Sequence, residues 1–153
     1  MLLRACGALS NITSNNVVNH GRAGAAGCVE ALLDVCIVGQ RDAEPVVDKA
    51  CSALWNISAD PTNRTRFANA GGMGKMMPAW RQHRDNLMVV RRVLGAVCNL
   101  TLNCKPNQSQ LCDAGGVQEL YEAASRHRAD ADVVCMCNKV LQNCVRPDVL
   151  AQS

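Results

Sequence analysis

Aromatic side chains are nearly missing from this chain of 153 residues, which has two Trp, one Tyr and one Phe. A surface that stacks the bases of single-stranded nucleic acid needs several rings, so composition disfavours that role. The core must be assembled from Ala, Val, Leu, Met and Cys, which suits closely packed helices. Charge of one sign is also scarce. Sixteen Lys and Arg oppose 13 Asp and Glu for a net +3, too slight a balance to point to nucleic acid. No apolar run approaches the roughly 18–20 residues of a membrane span, and Met1-Leu2-Leu3-Arg4 is too short for a signal peptide. Catalytic signatures are lacking as well. His20, His83 and His127 have no Ser or Cys partner at a readable spacing, and there is no phosphate loop or clustered carboxylate pair. The expectation is a protein without catalytic activity that calls for no cofactor and no metal.

Cysteine is abundant, at ten residues. The close pair Cys135-x-Cys137 places its thiols about 200° apart on a helix, so they cannot chelate one ion from one face. Most of the others occupy apolar positions that Ala, Val or Leu fill elsewhere, which reads as small core residues in a reducing compartment, cytoplasmic or nuclear. Five Asn-x-Ser/Thr sequons, at Asn11, Asn56, Asn63, Asn99 and Asn107, carry no glycosylation meaning there.

What the sequence does have is repetition. Ala50-Cys51-Ser52-Ala53-Leu54-Trp55-Asn56-Ile57 has near copies in Ala5-Cys6-Gly7-Ala8-Leu9-Ser10-Asn11-Ile12 and Leu94-Gly95-Ala96-Val97-Cys98-Asn99-Leu100. A worn copy ends at Asn143. The asparagines step by 45, 43 and 44, while Ala26-Gly27, Ala70-Gly71 and Ala114-Gly115 step by 44 and 44. A period in the forties points to a helical solenoid or a propeller, and no segment alternates with the period of a strand. The reading is one all-α domain over 1–153. A leading helix covers 1–13 and units follow at approximately 15–59, 60–103 and 105–147, each a short helix, a helix and a longer helix. Glycines 21, 24 and 27 predict an irregular first element. Val29, Leu32, Leu33 and Cys36 mark an amphipathic helix, matched by Met73, Met76, Met77 and Trp80 and by Val117, Leu120, Tyr121 and Ala124. Gly39 to Asp42 breaks the first of these, and Pro61-Thr62-Asn63 and Lys105-Pro106-Asn107 read as turns. Pro78 predicts a kink, and the last helix ends before Pro147. The start inside a third helix reads as a fragment of a longer array.

On a helix of about 100° per residue, the positions two, three, five and six before each asparagine, and one after it, form a continuous apolar arc. They are Leu9, Ala8, Cys6, Ala5 and Ile12, then Leu54, Ala53, Cys51, Ala50 and Ile57, then Val97, Ala96, Leu94, Val93 and Leu100. This is the expected core side. The opposite arc holds positions one, four, seven and eight before. Stacked units would align Asn11, Asn56, Asn99 and Asn143 beside a basic row of Arg4, Lys49 and Arg92, with Ser52 and Lys139 in the same column and Trp55 exposed among them. His83-Arg84 and His127-Arg128 read as solvated loops.

The pattern Asn63-Arg64, Phe67, Ala70-Gly71-Gly72, an apolar helix and then Ala-Cys-x-Ala-Leu-x-Asn-Ile resembles the armadillo repeat of the β-catenin and importin-α type. HEAT repeats are the nearest neighbour but usually lack this glycine and asparagine combination. The resemblance implies a right-handed α-solenoid of about three repeats plus a leading third helix. It also implies a concave groove in which the asparagine bonds the backbone of an extended partner peptide. An amide suits that job by offering donor and acceptor together, the basic row favours acidic side chains, and Trp55 is the aromatic anchor. The asparagines could instead only hold the stack. The function expected is a scaffold that captures an extended, acidic protein segment. The alternatives are a nuclear import adaptor or a nucleic-acid-binding solenoid. The adaptor is disfavoured because the position four before the asparagine, a tryptophan in that family, is Gly7, Ser52, Gly95 and Lys139 here.

Overall fold

The computed structural model describes residues 1–38 and 44–144. These residues are all-α. The elements are α1 (Leu2–Thr13), α2 (Val17–Ala25), α3 (Cys28–Val38), α4 (Glu44–Ile57), α5 (Pro61–Asn69), α6 (Gly72–Gln82), α7 (Leu87–Thr101), α8 (Lys105–Asp113), α9 (Gly116–Arg126) and α10 (Ala131–Cys144). No strand occurs among the described residues. The expected break at Gly39 to Asp42 and the stop before Pro147 lie outside them.

The order short helix, helix, longer helix recurs three times after α1. Like helices of successive units pack together: α1 on α4, α4 on α7 and α7 on α10, with α2 on α5 and α5 on α8. Helix α3 packs against both α4 and α6. One layer of long helices therefore lies along the molecule, and the shorter helices cover one side of it.

Two turns predicted from proline are helices instead. Pro61 opens α5 and Pro106 lies in the first turn of α8. Proline is preset for that place, where its missing N–H has no helical partner to lose. The Asp60 carboxylate caps α5 by accepting from the Thr62 and Asn63 amides at 2.8 and 3.2 Å. The first element, expected to be irregular, is a regular helix. Gly24 is needed there because a Cβ would collide with the Asn63 amide of the next unit.

The glycine pair has two separate jobs. Gly27, Gly71 and Gly115 sit at φ 81°, 65° and 78°, the left-handed conformation that ends α2, α5 and α8. The following glycine is about space. A Cβ on Gly72 would run into the Phe67 ring, and one on Gly116 into Leu111. In the first unit the equivalents are Cys28 and Ala23, so a larger residue at one position accompanies a small one at the other.

The predicted core arc is buried throughout α4 and α7. In α1 it is not: Cys6 is buried and Leu9 half-buried, while Ala5, Ala8 and Ile12 are exposed. The apolar face is present, but no described element covers it. Tyr121 also departs from its expected buried stripe and is 60% exposed, where its equivalents Leu33 and Met77 are buried. None of the ten cysteines is in a disulfide. Burial pushes the Cys98 and Cys137 thiols up to about 11, so they stay neutral, as small core residues should.

The glycine–ring fit predicts coupled substitutions. Gly72→Ala alone should cost about 1–3 kcal/mol by overpacking, and Phe67→Ala alone about 3–5 kcal/mol by leaving a cavity. In the double variant the loss should fall short of the sum, because the new methyl enters the space the ring left. Urea midpoints of the three variants measure this, and strict additivity would remove the steric account.

Candidate functional site

The exposed face of the long-helix layer is built on how those helices end. The last carbonyls of an α-helix have no partner within it, and here the following elements supply donors. At the end of α1, Asn19 Nδ2 donates to the Ile12 carbonyl at 2.6 Å and His20 Nε2 meets the Thr13 carbonyl at 2.7 Å. At the end of α4, Asn63 Nδ2 donates to the Ile57 carbonyl and Arg64 Nε to that of Ser58, at 2.8 and 2.9 Å. At the end of α7, Asn107 Nδ2 and Gln108 Nε2 reach the Leu100 and Thr101 carbonyls at 2.9 and 2.7 Å. Asn63 and Asn107 are buried and also donate back to the previous short helix, at the His20 and Arg64 carbonyls. In the sequence, residues 63 and 107 stand out only as part of a motif and of a turn. Their 44-residue spacing was the available signal.

The ladder asparagines belong to the same scheme. Asn56 Nδ2 donates to the Ser10 carbonyl at 2.9 Å and to Thr13 Oγ1 at 3.3 Å. Asn99 Nδ2 donates to the Trp55 carbonyl at 2.9 Å. Asn143 Nδ2 donates to the Cys98 carbonyl at 3.2 Å and to Thr101 Oγ1 at 3.0 Å. Each therefore ties its own long helix to the one before. An amide nitrogen has two protons, so Asn56 and Asn143 have none left for a partner and Asn99 keeps one. The idea that these side chains offer donor and acceptor together is thus corrected for two of them. Asn11 is exposed and its side chain makes no bond to the described residues.

Of the remaining predicted residues, Trp55, Arg92 and Lys139 come together around one hollow. Ser52 is half-buried, its hydroxyl 2.8 Å from that of Ser10. Trp55 is half-buried rather than exposed, because its indole lies on Gly95 of α7, where a Cβ would strike the ring. The Arg92 guanidinium stands 6.0 Å from the Trp55 ring centroid, within cation–π range. One carboxylate partly offsets the basic row. Asp48 lies 3.6 Å from Lys49 Nζ and 3.5 Å from Arg92 Nε. Arg4 and Lys139 are exposed and without an ion-pair partner among the described residues. Between α4, α7 and α10 this face opens into a hollow of about 390 Å³, lined by Trp55, Met88, Arg92, Met136 and Lys139, with Arg91, Asp132 and Cys135 at its side.

Of the residues read as solvated loops, Arg84 and Arg128 are exposed, while His83 and His127 are not. His83 is buried, and His127 Nε2 lies 2.8 Å from the Arg84 carbonyl. Arg81 donates to Glu119 at 2.7 Å, and Arg126 pairs with Asp85 at 3.1 Å. Asp130 caps α10 through the Val133 amide and pairs with Arg91. Those two contacts, the Val133 bond first, hold its carboxyl below the usual range.

Among the described residues no helix is long and apolar enough to cross a membrane, and no group of three or more His, Cys, Asp or Glu is placed to hold a metal ion. No protein-family model matches the chain, and no curated protein does. The fold is similar to a solved crystal structure of an engineered protein, a Northeast Structural Genomics Consortium target, with TM-score 0.79 and 24% identity. The match covers 93% of this chain and 55% of that one, so this chain spans about half of that structure's length.

Two outcomes follow. Asn107→Ala should lower stability by about 2–3 kcal/mol, since it strips donors from two carbonyls, whereas Asn99→Ala should cost about 1 kcal/mol. Denaturant midpoints at unchanged slope give both. Separately, a carboxyl whose folded pKa is depressed adds stability above its unfolded value and loses it as pH falls. Asp130→Asn keeps a capping side chain but removes the charge. Its melting temperature should lie below wild type at pH 7, and the gap should close as the pH drops into the acid range; a constant gap would exclude the ion pair as its cause.

Proposed function

We propose that the chain is a right-handed α-solenoid of armadillo type, three repeats after a leading third helix, and that it works as a non-catalytic scaffold. The concave face is the long-helix layer, and its ligand is an extended segment of a protein partner. The observation that carries this reading is the alignment of Ser52, Trp55, Arg92 and Lys139, drawn from three long helices, along one open face. Two properties favour a peptide over a small metabolite. The face runs the length of the layer, and its side chains come from successive long helices, with Ser52 and Lys139 at the same position of their helices, which suits a ligand that extends along the layer. The reducing interior of the cytoplasm or nucleus fits ten free thiols.

The asparagine ladder supports this face from beneath. Its nitrogens hold neighbouring long helices in register, while the amide oxygens of Asn56, Asn99 and Asn143 accept no bond from the described residues. Those oxygens can accept from the backbone N–H groups of an extended segment.

Site-specific photocross-linking tests the face. A benzophenone side chain at Ser52 should capture linear peptides selected for binding from an acidic display library. The same group at Tyr121, exposed on α9, should not. Equal capture from both positions, or capture from Tyr121 alone, would move the binding site off the long-helix layer.

A further inference from the structure

The exposed face is uneven along its length. Over α1 and α4 it is shallow. Gly7 has open space where a side chain would stand, and Ser10 and Ser52 close the gap between the helices with their hydroxyls. Across α4, α7 and α10 it deepens into the hollow of about 390 Å³. Trp55 is fixed at the wall of that hollow, because it fits over Gly95 and no other residue type at 95 would leave it room. Met88 and Met136 add flexible thioethers that can mould to an apolar guest. The volume holds a large aliphatic or aromatic side chain.

The charges around the hollow are not equally available. Arg91 is held by Asp130 and lies 3.8 Å from Asp132. Arg92 is held between Asp48 and the Trp55 ring. Lys139 has no ion-pair partner among the described residues and is exposed at the rim. One positive charge is therefore left for a ligand. In an extended segment, side chains on one face recur at every second residue, about 6.6 Å apart. An apolar residue in the hollow thus brings the residue two positions away toward the rim. Long helices about 9 Å apart place α1 about 27 Å from α10, a span of about eight extended residues.

Resting on the reading of this face as a peptide groove, we propose that the hollow takes a bulky apolar side chain of the partner. A carboxylate two residues away pairs with Lys139, and small residues of the same segment cross Gly7 and Ser52. The recognised element is an apolar-x-acidic pair, not a run of acidic residues.

The test uses blocked ten-residue peptides of Gly and Ser that carry one Leu and, two positions on, one Glu. Controls replace Glu by Lys, or Leu by Gly. Trp55 emission reports binding, since Trp80 is buried in the core, and cross-linking from Ser52 reports contact with the face. Replacing Leu by Gly should weaken binding about tenfold or more, and Glu by Lys about fivefold. Lys139→Glu should reverse the charge preference, and Lys139→Gln should abolish it. Lys139 is exposed, so both variants should keep the wild-type circular dichroism. An unchanged preference in Lys139→Glu, or equal binding of the Leu and Gly peptides, overturns the proposal. If the peptides still cross-link from Ser52 in that case, the groove survives without this specificity. If no peptide perturbs Trp55 or cross-links from Ser52, both readings fall.

Discussion

The end of each long helix is the constraint on which the rest depends. The last carbonyls of α1, α4 and α7 have no partner within their own helix and need donors from elsewhere. In this chain one donor set comes from the next short helix and another from the next long helix. His20, Arg64 and Gln108 are chemically unlike, yet at 44-residue intervals each meets the carbonyl that ends the preceding long helix. Arg64 extends the scheme by also reaching the Ala59 and Leu102 carbonyls at 3.0 Å, so one guanidinium joins the ends of α4 and α7. The requirement is for a donor at a place, and the side chain that brings it can vary. That accounts for the variation within this column.

Much of this was legible because it is periodic. The 44-residue beat, the apolar arc of α4 and α7 and the shared face of Ser52, Trp55 and Arg92 all follow from counting residues along one helix. The failures are of another kind. A helical wheel says which side of α1 is apolar, not whether anything lies against it, so Ala5, Ala8 and Ile12 were expected inside and are exposed. Pro61 and Pro106 were read as turn residues, although the same preset φ also starts a helix. Tyr121 followed the apolar stripe of its helix but sits where α9 has an open side.

Charge was misjudged for a related reason. Counting Arg4, Lys49 and Arg92 as a row ignored the position one residue earlier, which lies on the same arc. Asp48 occupies it in α4 and lies near both Lys49 and Arg92. Its equivalents are Leu3, Arg91 and Cys135, so the column does not carry one sign. A row of like charges in sequence becomes a mixed surface once neighbouring rows are placed beside it. Asp48, Lys49 and Arg92 are all half-buried, so the charge each presents is set as much by its neighbours as by its own place in the row.

The pairing of Trp55 with Gly95 shows how such local accidents can give a periodic scaffold an individual surface. The position one before the asparagine in one long helix faces the position four before it in the next. Ser10 meets Ser52 hydroxyl to hydroxyl, while Trp55 meets Gly95 ring to backbone. The first pair is small on both sides and leaves the face shallow. The second puts all of its volume on one side, and the glycine lets the ring lie flat without parting α4 from α7. The asparagine bonds across both junctions are nearly identical, at 2.9 Å from Asn56 to the Ser10 carbonyl and 2.9 Å from Asn99 to the Trp55 carbonyl. The stack is thus indifferent to which pair it holds, provided that the summed size fits. Relief on the open face can then change from unit to unit while the helix spacing beneath it stays the same.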